Sequence, residues 1–358
     1  MLRSHAQEAG FVDVEVLPID NHFWRFYRLV VRGRHRMRQS RLVGRGLMDW
    51  GRVMSNPARL GLRKPLVALV LLAVAAGGVS CKSTSTATSS PSGTPSSATL
   101  FAKLPAAIQT SKEIQVGSDV GYAPIEFFKE GTQQVEGVDY DIGQALGAKL
   151  GVKVTFVNTP FDGQPAALKA KRFDMVMSAR TDTKTRQAEV DFVDYFTAGT
   201  GILVQKGNPK NINSLDDLCG KTVALEKGTT QADVADGQST KCQAAGKATV
   251  NVLKLDKDTD ALQQLKIGRS DADMNDFPVA AYNAKTSGGG NDFQVTGQQF
   301  MSAPYGIAFS KDNAQLRDTV QSALKAIIAD GTYDQILSTW GVSAGALKTA
   351  DINGGTGT

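Results

Sequence analysis

Along residues 113–345, apolar positions recur in short blocks, some at a period of two and some at three to four, so strands and helices are expected in alternation. Glu113-Ile-Gln-Val-Gly117 half-alternates as a strand. Ile142, Ala145, Leu146 and Leu150 share one helical face, and Gly151 is placed to stop that helix. Residues 152–157 read as the next strand, with Phe161 in the following loop, and residues 164–171 read as helical. The short apolar run 174–177 predicts a buried strand, and Thr183 is the expected N-cap of a short helix over 184–189. Residues 198–205, 222–225, 250–255 and 305–309 are further extended runs. Residues 259–267 predict a helix closed by Gly268. Leu316, Val320, Leu324, Ile327 and Ile328 mark the buried face of a long helix over 313–330, stopped by Gly331 and followed by a short helix over 333–340. Such alternation predicts an α/β fold.

One stretch carries chemistry. The strand 174–177 ends in Ser178-Ala-Arg-Thr181 and leads to Arg186. A guanidinium can grip a carboxylate with two parallel hydrogen bonds. Ser178, Thr181 and free N–H groups at the helix start can donate more. A plain strand–turn–helix with a surface Arg reads equally well from this stretch alone. A second copy changes the balance: LKAKRFDMVM (168–177) and LKIGRSDADM (265–274) both fit L-K-x-x-R-x-D-x-x-M, unless ten residues agree by chance. Each reads as a helix end passing into a buried strand, and the second strand ends in Asn275-Asp276. Ligands of open α/β sheets bind beyond the carboxyl ends of strands. Cationic Arg186 and anionic Asp276 would then suit one molecule bearing a carboxylate and an ammonium. Lys227-Gly-Thr-Thr230-Gln231 either adds anion donors before a helix or is an ordinary turn.

Charge changes the picture at one end only. Of the 358 residues, 1–64 hold 13 of the 40 Lys and Arg and 5 of the 35 acids, which leaves 27 bases against 30 acids. The basic overall balance therefore gives no support to a nucleic-acid partner. His5, His22 and His35 are all in that leader, which excludes a His base, a His metal ligand or a Ser–His dyad from residues 65–358. Cys81, Cys219 and Cys242 lack the spacing of a zinc site, and neither metal nor cofactor is expected.

Residues 1–53 do not match the rest of the chain. Residues 9–29 resemble the tail of some class I methyltransferases without a cofactor motif. The segment is read as non-native or over-extended, the alternative being a genuine Arg-rich cytoplasmic tail. Residues 54–80 read as an export signal, with Arg59, Arg63 and Lys64 before an apolar run over 66–76 that is short for a membrane span. Gly77-Gly-Val-Ser80-Cys81 resembles a bacterial lipobox with the lipid on Cys81, although Gly78 departs from the usual Leu. Cleavage after Ala73-Val-Ala75 is the competing reading. Residues 81–100, rich in Ser, Thr and Pro, are expected to be a disordered tether. Export would place Cys219 and Cys242 where a disulfide is the default, two free buried thiols being the alternative.

From about Glu113 to Val342 the chain resembles the bacterial extracellular solute-binding proteins of family 3. The resemblance rests on GSDVGYAPIEF, VEGVDYDIGQALGAKLG, FDMVMSARTDTKTRQAEVDF, SLDDLCGKTVALEKGTTQ, YGIAFSKD and IIADGTYDQILSTWGV, in that order. It implies a type II periplasmic-binding-protein-like clamshell of two α/β lobes with two hinge strands. Lobe 1 would span 101–197 and 305–345, lobe 2 would span 198–304, and 346–358 would be a flexible tail. Carried over position by position, Arg186 would bind an α-carboxylate, with Thr181 beside it and Thr230 from lobe 2. Asp276 would take the α-ammonium, Tyr122 and Phe161 would flank the side chain, and Asp119 would lie near the distal end. Ala179 and Arg180 depart from the family pattern. Arg180 would favour an acidic ligand if it faced the cleft; if it pointed out, Asp119 could favour a basic or neutral one.

The function implied is extracellular capture of a polar amino acid for an ABC permease and its ATPase. The protein would be a lipid-anchored monomer on the outer face of the cell membrane, and not an enzyme. A cyclohexadienyl-dehydratase-like enzyme on the same fold and a membrane-tethered sensor are the alternatives.

Overall fold

A computed structural model of the protein describes residues 97–357, together with the backbone of three short strands nearer the N-terminus. Those strands, β1 (Asp13–Val16), β2 (Phe26–Val30) and β3 (Leu42–Gly44), pair antiparallel in the order β1-β2-β3. They belong to a unit of residues 1–91, separate from the unit of residues 92–358. The expected signal segment 54–80, Cys81 and the tether as far as residue 96 lie outside the described residues.

The second unit is built on one eight-stranded sheet. Its strands are β4 (Glu113–Ser118), β7 (Lys153–Asn158), β8 (Met175–Val176), β9 (Val190–Gln205), β10 (Thr222–Glu226), β11 (Asn251–Leu255), β12 (Ala272–Asp276) and β13 (Phe293–Ser310). A small antiparallel pair, β5 (Phe127–Phe128) and β6 (Val135–Glu136), stands apart. The sheet order is β11-β10-β12-β9-β13-β8-β4-β7. The central pair explains the two-lobed shape. β9 and β13 run antiparallel along nearly their whole length, from Val190 opposite Ser310 to Gln205 opposite Phe293. One end of β9 carries β12, while the other end of β13 carries β8. Each half of the sheet has its own core. Ile114, Ile142, Leu146, Leu324 and Ile327 are in lobe 1, and Ile202, Val223, Leu225, Val250 and Met274 are in lobe 2. The β9–β13 register breaks between Thr296 and Phe300, Phe300 and Ala303, and Tyr305 and Gly306. Broken ladders are where a paired ribbon bends most easily, so the irregularities sit at the crossover between lobes.

The ten-residue repeat is real in three dimensions. Lys171 and Gly268 occupy the same place in it and both take left-handed backbone, at φ 56° and 73°. In the first copy Asp174 donates its N–H to the Gln115 carbonyl, and its carboxylate accepts the Gln115 N–H at 2.8 Å. In the second, Asp271 makes the same exchange with Thr222, accepting its N–H at 2.9 Å. Each copy thus sets its strand, β8 or β12, parallel to a neighbour, β4 or β10. Chance agreement is excluded by that shared geometry.

The helices expected from apolar spacing are present, and three more, Ser97–Phe101, Ala106–Ser111 and Phe277–Thr286, are not among those expected. The expected ones include Val138–Leu150, with left-handed Gly151 as its C-cap, and Ala314–Ala329. Thr183 caps Lys184–Gln187 by accepting the Arg186 N–H. Cys219 and Cys242 form a disulfide, with Cα atoms 5.5 Å apart, that ties the 3-10 turn Leu215–Leu218 to the helix Thr230–Ala244.

Two expectations need correction at the edges. The tether does not reach residue 100, because a helix over Ser97–Phe101 already buries Leu100 completely. Leu100, Leu104 and Ile108, spaced four apart, all join the lobe 1 core. The residues after 345, expected to be a flexible tail, are docked. Ala350 is fully buried, Ile352 bridges Val193, and the Gly354 and Gly355 N–H groups donate to the Asp194 and Asp182 carboxylates at 3.0 and 2.8 Å. Backbone donors meeting buried carboxylates hold this tail together with Ala346, Ala350 and Ile352, which pack on the lobe 1 core. Among the described residues no helix is long and apolar enough to cross a membrane, and no group of three or more His, Cys, Asp or Glu could hold a metal.

Candidate functional site

A cleft of about 170 Å³ opens between the lobes where strands end. Asp119 follows β4, Ser178 and Ala179 follow β8, and Glu226 and Asp276 close β10 and β12. Asp258 begins the helix Asp258–Lys266 after β11. This is the carboxyl end of the parallel strands, where open α/β sheets hold ligands. Of the residues singled out from sequence, Asp119, Tyr122, Phe161, Ser178, Thr181, Arg186, Thr230 and Asp276 all line the cleft.

Arg186 and Asp276 form the zwitterion-like pair. Arg186 donates from Nη1 to the Thr181 carbonyl and from Nη2 to the Gly228 carbonyl of the opposite lobe, each at 2.9 Å. Gly228 reaches it in left-handed backbone at φ 77°, and a Cβ there would meet the Cβ of Asp162 at 3.0 Å. Asp276 accepts from Tyr122 Oη at 3.0 Å and from Gln231 Nε2 at 2.9 Å. Burial pushes its carboxyl up to about 6, against those hydrogen bonds and the Arg186 charge. Tyr122 is therefore more than an aromatic wall, because its hydroxyl also reaches across from lobe 1 to lobe 2. A third interlobe contact pairs Lys227 with Asp162 at 3.1 Å. The lobes are closed on one another.

Thr229 caps the helix Thr230–Ala244 by accepting the Ala232 N–H. Thr230 opens that helix at the cleft, where its first N–H groups and their partial positive charge suit an anion.

The rest of the cleft is acidic to a degree the sequence did not reveal. Glu126, Glu226 and Asp258 line it beside Asp119. Asp119 accepts the Phe161 N–H at 2.8 Å, which fixes both the carboxylate and the aromatic ring's loop. Burial raises its pKa. Glu226 and Asp119 hydrogen-bond each other from opposite lobes. Burial, followed by Asp119 and Asp258, pushes Glu226 up to about 10, and burial raises Asp119 too, so the pair retains a proton between them. Burial likewise pushes Asp258 up to about 7 and holds Glu126 well above the usual carboxylate range. Ser178, expected to donate to a ligand, is committed elsewhere. Its hydroxyl donates to Glu126 Oε1 and accepts the Asp119 N–H, both at 2.9 Å, so it positions two acids.

Arg180 does not face the cleft. It is 5% exposed, stacks 4.2 Å from the Phe161 ring centroid on the far side, and donates to the Phe161 carbonyl at 2.7 Å. Ala179 before it takes left-handed backbone at φ 44°, which turns the following side chain out of the row begun by Ser178. The acidic-ligand branch that rested on Arg180 falls with this placement.

The profile of bacterial extracellular solute-binding proteins, family 3, matches residues 114–343. The arginine-binding protein ArgT of Corynebacterium glutamicum is 29% identical over 253 residues, spanning 70% of this chain and 82% of that protein. An ancestral arginine-binding protein bound to arginine superposes with a TM-score of 0.58 at 36% identity, covering 64% of this chain and 98% of that one. The ancestral amino acid-binding protein AncCDT-1, a precursor of cyclohexadienyl dehydratase, does so at 0.59 and 36% identity, covering 65% and 97%.

Proposed function

The chain belongs to the bacterial extracellular solute-binding proteins, family 3, and from that premise we propose that its ligand is an amino acid with a cationic side chain, of the arginine or lysine class. The protein is an amino-acid-binding component of an ABC importer. One observation carries the choice of ligand. After Arg186 and Asp276 are assigned to an α-carboxylate and an α-ammonium, four more acids remain in the same cleft: Asp119, Glu126, Glu226 and Asp258. Burial raises all four, so they ionise only when a cation meets them. A second cation on the ligand pairs them, whereas an acidic side chain would add repulsion.

In this reading the carboxylate meets the Arg186 guanidinium, with Thr181 and the helix start at Thr230 beside it. The ammonium meets Asp276. Phe161 and Tyr122 flank the side chain, whose cationic end displaces the proton held by Glu226 and Asp119. Residues from both lobes contribute to each charged contact, so the ligand favours the closed form and bending at the β9–β13 crossover releases it. Lobes at 101–197 with 305–345 and at 198–304 describe the moving parts. We further propose a monomer held at the outer face of the membrane by a lipid on Cys81, delivering its ligand to a permease and ATPase without chemical change. A second reading, dehydration of a cyclohexadienyl acid, is favoured by one observation: two acids, Glu226 and Asp119, adjoin inside the cleft, and burial raises both, so the pair could supply a general acid.

Thermal unfolding of the full chain against the twenty amino acids tests the proposal. A ligand at a hundredfold excess over its Kd adds about 2.7 kcal/mol, or roughly 5–10 °C for a chain of this size. Arginine or lysine should give that shift and aspartate and glutamate none. Shifts confined to acidic amino acids would sink the proposal, and appearance of an aromatic product from a cyclohexadienyl acid would favour the second reading.

A further inference from the structure

Behind Phe161 lies a second cavity, of about 200 Å³, that amino-acid binding does not use. Leu168, Val176 and Phe192 make part of its wall apolar, while Arg180 and Arg186 make another part cationic. Both bonds of the Arg180 guanidinium run from Nη2 to neutral acceptors, the Phe161 carbonyl at 2.7 Å and Gln164 Oε1 at 3.4 Å. Its Nε is buried and has no partner. Arg186, shared with the cleft, adds a like charge whose own two bonds also go to carbonyls. Glu226, Glu189 and Asp162 act on Arg180 through space, but none forms an ion pair with it: Asp162 pairs with Lys227 at 3.1 Å, and Glu189 is exposed to solvent. A guanidinium so enclosed calls for a counter-charge.

We propose that this cavity is a second, anion-binding site for a small monoanion, a halide or a short-chain carboxylate, anchored by Arg180. The apolar wall disfavours strongly hydrated polyanions, and with both bonds running from Nη2 the rest of the guanidinium keeps donors for a single small acceptor. Gly228, from lobe 2, forms part of the wall. An anion here therefore favours the closed lobes, and the site stands whatever amino acid fills the cleft.

The test is thermal unfolding of the full chain, titrated with sodium chloride and separately with sodium acetate, for the wild type, Arg180→Met and Val190→Phe. Val190→Phe fills the cavity from its rim and leaves Arg180 in place, so it decides the matter if Arg180→Met fails to fold. The wild type should show a saturable rise of roughly 5 °C or more at a hundredfold excess over the Kd, and each variant should lose it. A response to chloride alone identifies a halide site, and one to acetate alone a carboxylate site. Bromide soaked into crystals should give an anomalous peak within hydrogen-bonding reach of Arg180. Equal shifts in wild type and variants, or no saturable shift with either salt, would overturn the proposal.

Discussion

Replacing Glu226 by Gln separates a site that reads a side-chain cation from one that reads only the amino-acid backbone. Glu226 is 7% exposed at the end of β10, and with its carboxyl pushed up to about 10 beside Asp119 the two acids share a proton at neutral pH. A guanidinium or ammonium placed between the two acids replaces that proton. Binding of arginine at pH 7–8 should thus release about one proton. The Glu226→Gln amide still donates to Asp119 but cannot become negative. A hydrogen bond to a charged group is worth about 1.5–3 kcal/mol, so arginine affinity should fall about 10- to 150-fold. Proton release should fall with it, and whatever affinity a neutral amino acid has should stay within a few-fold. Isothermal titration in two buffers of different ionisation enthalpy reads both quantities. Unchanged arginine affinity and proton release, or an equal loss for neutral and cationic ligands, would refute the reasoning.

The same geometry sets other outcomes. Arg186→Ala should weaken every amino acid that binds by about tenfold or more, measured by titration; an unchanged Kd would remove Arg186 from the site. Without added amino acid, stability should fall as pH rises from 6 to 9. Asp139 and Asp258 at about 7, Asp194 at about 8 and Glu226 at about 10 all lie above their ordinary values, burial being the largest cause. Their contribution is complete below about pH 4 and is lost on ionisation through those values, so a melting temperature that climbs to pH 9 would contradict the burial argument. Deleting residues 351–358 removes the N–H donors to Asp182 and Asp194 and the Asn353 contact to Phe192. At about 0.5–1.5 kcal/mol per bond, melting should drop by roughly 5–10 °C, and an unchanged melting temperature would show the tail to be dispensable.

Local pattern alone reaches far into this fold. Apolar spacing places the helices it finds within one or two residues but misses Ser97–Phe101, Ala106–Ser111 and Phe277–Thr286, and the repeat at 168–177 and 265–274 brings Arg186 and Asp276 to one cleft. What stays hidden is whatever only tertiary contact creates. Glu226 lies in Ala-Leu-Glu-Lys-Gly and Asp258 in Lys-Asp-Thr-Asp, runs that look like surface turns. Glu226 is met by Asp119 of the opposite lobe and Asp258 by Asn275 of its own, contacts that only the folded chain creates. Arg180 stands out in sequence for its place near Ser178, but side-chain direction there depends on the left-handed turn at Ala179, which an Ala does not advertise. The C-terminal tail lacks apolar periodicity, and its anchoring by backbone N–H groups leaves no compositional trace. Leu100 falls in the stretch expected to be a tether, although its spacing to Leu104 and Ile108 is a signal that could have placed it in the core.

The central claim is that the cleft acids read a positive side chain, and citrulline, which matches arginine in shape but not in charge, tests it most directly. Titration of the full chain with each should give a single site with arginine bound at least tenfold more tightly than citrulline. Citrulline binding as well as arginine, or glutamate binding better than both, would contradict it.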